Sequence, residues 1–526
     1  MKEKKGLSYD IGSVVLIVYV FVILVVRFNI FPIFIDIYYH LAAMQGYNLA
    51  RGITANAYWE FAPFGRPQLY PPLLHIIMLF MLKCGVSISF IAKFTSFVMF
   101  PLTVLMVWFT VRSVYGKRPA FFSVVFLAGA STFFWHMSVL SAAALAQILG
   151  LLAFVSIEKD LKFASPVLLT LMLYSHIAIP YFYFVAFLIY GIFRKERRKI
   201  IFRSLLFSAL LYSPWLIHTI VHLRYIMPRS PDPPGLVPVS VSLNLWLWAF
   251  GIAGVVIAIF KRKKYLFPVF LLVLLTPVML GYQTRFWEVH TIIPLSILSG
   301  IFPDHVLSSL RNQSFRKFVV LVLLIALFIS PRLSYGRNGV RINVQPSFER
   351  IALSNYRQLE VRLPVKKKPQ YPVNRENGRI MIKGNKILSD KNIKFAEMLK
   401  SRLPKGASIY VPDGVFGDFL FAFSGVSVSS GMLREVKPYR YPSQTDDAYF
   451  VIDGNVASLM YPLNKTFQKY FSAFGKTVFK NRMQVKKVLP EKPVLPISIC
   501  FILLILSAII ILYDFLNRRE VNNGDI

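Results

Sequence analysis

FIDIYYHLAAMQGYNLARGITANAYWEFAPFGRPQLYPPLLH, residues 34–75, is the stretch that most constrains the fold of this chain. It follows an apolar run over residues 10–31, which is long enough to cross a bilayer. That run is too long for the core of a signal peptide and lacks a small-residue cleavage site, so it predicts an uncleaved first span. The quoted stretch therefore starts at a membrane surface, with the acid Asp36 only a few residues past the span.

The composition is that of a membrane protein. Of the 526 residues, 56% are hydrophobic and 16% are charged, and the mean hydropathy of +0.55 is too high for a soluble globular protein. The formal net charge of +35 comes from Lys and Arg clusters between apolar runs. This is the positive-inside pattern, so no nucleic-acid partner is predicted. The only cysteines, Cys84 and Cys500, exclude a disulfide framework and a thiolate metal site.

Apolar runs predict a polytopic α-helical membrane protein. A spanning helix needs about 20 apolar residues, and the runs here suggest about 11–13 spans. Candidate spans lie near 10–31, 90–111, 119–136, 138–157, 163–180, 179–193, 200–221, 243–260, 265–281, 291–308, 317–331 and 494–513.

Basic clusters predict the orientation of these spans, because Lys and Arg are enriched in cytoplasmic loops. Such clusters lie near 2–5, 112–118, 194–199, 261–264, 311–317 and 517–520. All of these clusters can be cytoplasmic in one topology of the plasma membrane. In that topology both termini are cytoplasmic and loop 32–89 is wholly outside. The short apolar helix 71–85 is then interfacial or re-entrant, or else a span compensated by a break elsewhere.

This topology divides the chain into three parts. Residues 1–331 form a multi-span membrane module, residues 332–493 an extracytoplasmic region, and residues 494–526 a last transmembrane helix with a cytoplasmic tail. The basic stretch 332–379 predicts a linker, either solvated or lying on anionic headgroups.

The remainder of the external region predicts a small α/β domain before the final span. Its periodicity predicts helices at 393–403 and 466–475 and strands at 407–413, 447–454 and 476–488. It contains no phosphate-binding glycine loop and no nucleophile elbow. The acids Asp413, Asp418 and Asp453 follow strand ends, where such residues usually stabilise turns.

Asp36 has two interpretations. An acid at the membrane edge is costly unless it is solvated or paired, which makes it a functional candidate. Alternatively, it caps the following helix, where the helix dipole favours an acid.

The pattern around Asp36 resembles a known superfamily. Asp36-x-x-Tyr39-His40 is followed by a helix ending at Arg51-Gly52, then by Gly65-Arg66-Pro67 and Tyr70-Pro71-Pro72-Leu73. This resembles the GT-C polyprenyl-phosphate-sugar-dependent glycosyltransferases, and is most similar to uncharacterised prokaryotic members with a Tyr-Pro-Pro-Leu segment. The layout of the whole chain fits the same resemblance.

The resemblance implies inverting transfer of a sugar from a polyprenyl-phosphate donor to a lipid, glycan or protein acceptor at the outer membrane face. It assigns the catalytic carboxylate to Asp36, which would take the proton of the acceptor hydroxyl. One departure argues against oligosaccharide transfer to asparagine: residues 133–141 contain no acid and residues 332–493 contain no Trp. The same departure makes a metal requirement doubtful.

A leaving lipid phosphate needs positive charge nearby. Arg285 is the first choice, because the Arg fork suits phosphate, and Arg66 and His290 come next. Alternatively, Arg285 pairs with Glu288 or reaches lipid headgroups. Further residues predicted to line the site or contact the acceptor are Tyr39, His40, Glu60, Tyr70 and His75.

Histidines gather at the predicted outer side. They are His40, His75, His136, His176, His218, His222 and His290, whereas His305 maps to the inner side. Imidazole can hold a divalent ion, and imidazolium can pair with phosphate, but histidine is also common at interfaces. No cofactor is assigned, and a divalent metal ion stays an open alternative without a ligand set.

Two other functions stay open: a transporter or flippase for a lipid or lipid-linked glycan, and a non-catalytic membrane-anchored protein that binds the cell envelope. Transporters tend to carry inverted repeats and midplane charges, neither of which the sequence shows. The predicted partners are a lipid-linked sugar donor and membrane lipids. The sequence does not predict an oligomeric state.

Overall fold

The computed structural model describes residues 2–26, 28, 31, 33–130, 137–138, 140–227, 240–261, 263–280, 282, 285–336, 339–346, 387–433, 435–443, 446–453, 467–483, 485 and 487–523. The membrane module is built from helices joined by short connections. They are α1 (Lys2–Val26), α2 (Asp36–Ala50), α3 (Leu73–Lys83), α4 (Ile88–Val114), α5 (Lys117–Gly129), α6 (Ser141–Glu158), α7 (Ala164–Leu173), α8 (Ile179–Phe193), α9 (Arg198–Val221), α10 (Leu245–Lys261), α11 (Leu266–Leu274), α12 (Ile292–Ser309) and α13 (Gln313–Phe328). Every span predicted before residue 331 contains one of these helices, and α3 matches the short helix predicted at 71–85.

Several helices have the length and the surface of membrane spans. Among the described residues, six helices are long and apolar enough to cross a membrane: Ser8–Val26, Ile88–Val114, Ser141–Glu158, Lys195–Val221, Ile292–Ser309 and Ile497–Asn517. Large apolar side chains point outward from the bundle, with Val15 61% exposed, Leu210 59% and Ile252 58%. Water-soluble proteins rarely expose so much contiguous apolar surface. The chain is therefore a membrane protein.

The basic segments meet at one end of the bundle. Arg112 Nε donates to Asp10 Oδ1 at 2.8 Å, which joins the end of α4 to the first half of α1. The Tyr115 hydroxyl donates to the carbonyl of Lys264 at 3.1 Å. Asp36 follows the other end of α1. The 112–118 and 261–264 clusters thus lie at the end of the bundle opposite Asp36, as the positive-inside pattern requires.

The first loop is folded into the core of the molecule. Short strands β1 (Gly52–Ile53), β2 (Asn56–Ala57) and β3 (Arg66–Pro67) follow α2, and β2 pairs with β3. Trp59 packs against Gly46, where an added Cβ would lie 2.3 Å from the indole ring. The same indole stacks on Phe421 of the α/β domain, with ring centroids 5.8 Å apart. The loop therefore joins the membrane module to the α/β domain.

The C-terminal region contains the predicted small α/β domain. Its elements are helices α14 (Asp390–Arg402) and α15 (Gly414–Ser424) and strands β7 (Ser408–Tyr410), β8 (Ser427–Val428), β9 (Tyr449–Asp453), β10 (Phe467–Ala473) and β11 (Lys476–Asn481). The sheet order is β10-β11-β9-β7-β8, and β7 runs parallel to both β8 and β9. After strand β12 (Leu495–Pro496), which pairs with β1, the last helix α16 (Ile497–Asn523) begins. The predicted fold class is confirmed.

One predicted helix is wrong: residues 466–475 contain strand β10. Aromatic residues there repeat at helical spacing, but β10 and β11 form a hairpin closed by Phe474 and Gly475, which both have positive φ, 54° and 78°. Such a turn matches the twist of antiparallel strands. A β-bulge between Lys469 and Phe471 adds one residue. Phe467 and Phe471, four positions apart, therefore point to opposite faces of the sheet.

The predicted linker is also wrong in its first part. Strands β4 (Ser240–Asn244), β5 (Ile329–Gly336) and β6 (Gly339–Pro346) form a three-stranded antiparallel sheet. In the sequence, strand β6 is indicated by the alternating apolar residues Val340, Ile342 and Val344. The arginines around them make this alternation hard to recognise. Residues 347–379, the rest of the predicted linker, lie outside the described residues.

Candidate active site

A cavity of about 490 Å³ lies where the membrane module meets the α/β domain. Its walls come from the start of α2, the Tyr-Pro-Pro turn, the α7–α8 connection, the segment before α12 and a loop of the α/β domain. Its polar lining residues are Asp36, Tyr39, His40, Tyr70, His176, Tyr282, Arg285, His290 and Glu435. Of the residues predicted for the site, the fold thus brings together Asp36, Arg285, His290, Tyr39, His40 and Tyr70.

Asp36 is the first residue of α2, and its side chain faces the cavity. The N-cap of α2 is Ile35, and Asp36 lies in the first turn, where the helix dipole also favours an acid. Burial raises the pKa of Asp36 to about 6, while the charge of Arg285 opposes this rise and that of Glu435 adds to it. A carboxylate with this proton affinity is suited to act as a general base near neutral pH.

Arg285 enters the cavity next to a distorted helical turn. Residues Phe286–His290 form a π-helical turn, and the Thr291 hydroxyl donates to the Phe286 carbonyl at 2.6 Å. Turns of this kind are frequent at functional sites. The turn places both Arg285 and His290 on the cavity wall, whereas Glu288 does not line the cavity. The Arg285 guanidinium lies over the ring of Tyr282, 4.8 Å from its centroid.

Two histidines of the cavity, His40 and His176, are hydrogen-bonding groups rather than cations. Burial lowers the pKa of His40 to about 3 and that of His176 to about 3, with Arg285 adding to the effect on His176. His40 Nδ1 lies 2.9 Å from His75 Nε2, so His75 supports His40 from behind the cavity wall. Gln147 Nε2 lies 3.3 Å from His290 Nδ1. With His40 and His176 neutral, Arg285 is the fixed positive charge of the described cavity wall.

Two further histidines of the predicted set, His218 and His222, do not line this cavity. His218 Nε2 contacts the Gln68 carbonyl at 3.2 Å beside an apolar groove, and His222 follows it one turn later. His136 lies outside the described residues. No group of three or more His, Cys, Asp or Glu in the described part of the chain could hold a metal ion. The step proposed below is written without a divalent ion.

Glu60 and Arg66 lie elsewhere, in a buried cluster with Asp418. Arg66 Nε donates to Glu60 Oε2 at 2.6 Å, and both side chains are fully buried. Burial raises the pKa of Glu60, and burial followed by the charge of Glu60 raises that of Asp418 well above its usual range. The raised pKa favours the protonated form of Asp418 beside the Glu60–Arg66 pair. The predicted phosphate role of Arg66 and the lining role of Glu60 are corrected: both residues join the first loop to α15.

Replacing Arg66 with Gln is expected to destabilise the fold by about 3–5 kcal/mol, because Glu60 then keeps a buried charge without its partner. Thermal melting of the purified protein in detergent measures this as a lower midpoint. Arg482, exposed in the α/β domain, provides the matched control Arg482→Gln. Equal midpoints for the two variants would contradict the structural role.

The α/β domain contributes Glu435, a residue that the sequence did not predict for the site. The Met227 amide donates to the Glu435 carbonyl at 2.7 Å, and the Lys437 amide donates to the Tyr225 carbonyl at 2.8 Å. These bonds hold the loop of Glu435 against the end of α9. The sequence LREVKPYR around Glu435 carries no recognisable motif.

No protein-family model matches the sequence, and no curated protein is significantly similar to it. Solved structures do share the fold. ArnT from Cupriavidus metallidurans bound to undecaprenyl phosphate is 11% identical with a TM-score of 0.51, and the match covers 89% of this chain and 97% of ArnT. The apo state of ArnT is 13% identical with a TM-score of 0.52, covering 89% and 98%.

An archaeal structure gives a similar match. The oligosaccharyltransferase AglB from Archaeoglobus fulgidus, in complex with an inhibitory peptide and a dolichol-phosphate, is 12% identical with a TM-score of 0.50. The match covers 90% of this chain and 74% of AglB. The helical bundle followed by a small sheet domain is thus common to the three proteins. The chain has the GT-C membrane fold of ArnT and AglB.

Proposed function

We propose that the protein transfers a sugar from a polyprenyl-phosphate-linked donor, with inversion, to a lipid, glycan or protein acceptor at the outer membrane face. The observation that carries this proposal is the meeting of Asp36 and Arg285 in one cavity, although the two residues lie far apart in the sequence. ArnT and AglB, which share the fold, have been solved with undecaprenyl phosphate and a dolichol-phosphate.

The two residues have complementary roles in this reaction. The Arg285 guanidinium binds the donor phosphate through its planar fork of N–H donors. The Asp36 carboxylate accepts the proton of the acceptor hydroxyl while that oxygen attacks the anomeric carbon. The bond from the anomeric carbon to the phosphate oxygen breaks, and the lipid phosphate leaves with the electron pair. Because the new bond forms opposite the breaking bond, the anomeric configuration inverts.

Neutral groups around the cavity support the same roles. His40 and His176 stay uncharged at neutral pH, so they can hydrogen-bond to sugar hydroxyls without competing with Arg285 for the phosphate. Tyr70 makes edge contacts with both rings, at 5.3 Å from His40 and 5.8 Å from His176. The Tyr-Pro-Pro turn thereby fixes one wall of the cavity.

The proposed orientation follows from the two ends of the bundle. The end that gathers Arg112, Arg118 and Lys264 is cytoplasmic under the positive-inside rule. The cavity of Asp36 and the α/β domain then face outward, and both termini are cytoplasmic. A donor whose isoprenoid lies in the outer leaflet can place its phosphate at Arg285 from this side.

The proposed base gives a defined dependence on pH. Since the pKa of Asp36 is about 6, kcat/KM should level off above this pH and fall about tenfold per unit below it.

Glu435→Gln removes a negative charge that raises the pKa of Asp36, so the acidic limb should move to lower pH. Initial rates from about pH 4.5 to about pH 8 locate the acidic limb in the wild type and in the variant. A limb that stays in place, or also moves in the exposed control Glu397→Gln, would contradict the role of Glu435.

The function itself is tested with the purified protein in liposomes. Undecaprenyl-phosphate-linked monosaccharides are supplied as a panel, with membranes from a deletion strain as the source of acceptor. Mass spectrometry should detect undecaprenyl phosphate released together with a sugar-bearing product. Movement of the intact donor across the bilayer without product would instead identify a flippase.

A further inference from the structure

A second cavity, of about 410 Å³, opens at the carboxyl end of strand β7. Strand β7 lies between β8 and β9, and all three run parallel. From β7 the chain passes through α15 to β8 on one side, and then continues to β9 on the other side. A crevice at the carboxyl end of the strands, where the strand order reverses, is the usual ligand site of open α/β sheets.

The lining of the second cavity indicates an uncharged ligand rich in hydroxyl groups. Three rings, three polar side chains and short backbone segments form its walls; the rings are Phe61, Tyr410 and Tyr441, and the polar side chains are Asp413, Ser429 and Ser430. Among the described lining residues there is no Lys, Arg or His, so the site offers nothing to balance a phosphate or another anion. Aromatic faces and a few hydrogen-bonding groups together suit the apolar and polar faces of a sugar ring.

The polar side chains of the second cavity differ in their hydrogen bonding. Ser430 Oγ is buried and makes no hydrogen bond among the described residues. Asp413 Oδ1, by contrast, accepts from the Val415 amide at 3.0 Å and the Phe416 amide at 3.4 Å, which fixes the carboxylate at the start of α15. Ser430 Oγ is not accessible from the cavity, so the hydrogen-bonding side chains that the wall offers are Asp413 and Ser429. The Ser429 hydroxyl accepts from the Val411 amide at 3.0 Å and keeps its proton to donate.

The second cavity adjoins the one that contains Asp36. Met432 lines both cavities, and Glu435 lies three residues further along the same loop. Phe61, from the first loop, contacts Tyr441 edge to face with ring centroids 6.1 Å apart. The second cavity is therefore enclosed by the α/β domain together with the loop that carries Asp36.

We infer that the second cavity binds a neutral saccharide of the acceptor, beside the cavity in which the sugar is transferred. This inference rests on the proposed function, because only sugar transfer requires an acceptor there. It gives the α/β domain a role in selecting the acceptor. The membrane module would supply the chemistry at Asp36 and Arg285.

The test uses the full-length protein in nanodiscs and saturation-transfer NMR with neutral trisaccharides of glucose, mannose, galactose and N-acetylglucosamine. At least one trisaccharide should bind. Tyr441 is 64% exposed, so Tyr441→Ala should leave the fold intact while weakening binding about tenfold. Tyr441→Trp should retain binding, because it keeps an aromatic face. The matched control is Tyr470→Ala, which removes a 44% exposed tyrosine from β10 and should bind as the wild type does.

The inference is overturned if no trisaccharide binds the wild type, or if Tyr441→Ala binds as well as the wild type. It is also overturned if inorganic phosphate displaces the bound trisaccharide, since that would indicate an anion site. The same measurement on Asp36→Asn separates this inference from the proposed function. Saccharide binding should persist in that variant, and full transfer activity in it would remove the catalytic assignment alone.

Discussion

Replacing Asp36 with Asn is expected to slow sugar transfer about 10²–10⁴-fold, the range that a positioned general base contributes. The amide has almost the same shape as the carboxylate, but it cannot take the proton of the acceptor hydroxyl. Initial rates of product formation from an undecaprenyl-phosphate-linked sugar measure the loss. The donor should still bind, because Arg285 is unchanged.

Stability provides the control for this variant. Burial raises the pKa of Asp36 to about 6, which means that the fold disfavours the ionised form at pH 7. The neutral Asn should therefore melt at the same temperature as the wild type or slightly higher. Asp10→Asn, at the opposite end of α1, removes a partly exposed ion pair with Arg112 and should retain activity. Transfer by Asp36→Asn at more than a tenth of the wild-type rate would exclude Asp36 as the base.

Replacing Arg285 with Gln is expected to weaken binding of undecaprenyl phosphate about a hundredfold, the value of two charge-assisted hydrogen bonds. Arg285→Lys should lose about tenfold, because it keeps the charge but not the planar fork. Titration of undecaprenyl phosphate into the nanodisc-embedded protein by calorimetry measures both affinities. The melting temperature should not fall, since Arg285 has no carboxylate partner within ion-pair distance in the described structure.

Two other arginines make this prediction specific. Arg311→Gln removes an exposed cation from the basic end and should leave the affinity unchanged. Arg66→Gln should lower the melting temperature while undecaprenyl phosphate still binds the protein that remains folded. Unchanged affinity in Arg285→Gln would show that another cation holds the phosphate.

The membrane module was predictable from local sequence. An apolar run of sufficient length predicts a spanning helix, and basic clusters predict which end of the bundle is cytoplasmic. Each predicted span contains a helix, and the basic segments meet at one end of the bundle. The meeting of Asp36 with Arg285 was also predicted, although from the resemblance to the GT-C superfamily and from the position of Arg285 at the edge of a span. The length and periodicity of the segments would not have placed the two residues together.

Residues whose role depends on the α/β domain were not predictable. Arg66 and Glu60 stand in the informative first loop, yet Asp418 and α15 cover them and turn them into a buried pair. Glu435 reaches the cavity because its loop is hydrogen-bonded to Tyr225 and Met227. These contacts join segments distant in sequence, and no local pattern reports them. At β10, the aromatic residues repeat at helical spacing, which led to the predicted helix. A β-bulge between Lys469 and Phe471 instead places Phe467 and Phe471 on opposite faces of a sheet.

The most direct measurement is a cryo-EM structure of Asp36→Asn with an undecaprenyl-phosphate-linked sugar. The phosphate should lie within hydrogen-bonding distance of the Arg285 guanidinium, with the anomeric carbon of the sugar facing residue 36. A donor phosphate bound outside the cavity lined by residues 36 and 285 would contradict the proposed transfer reaction.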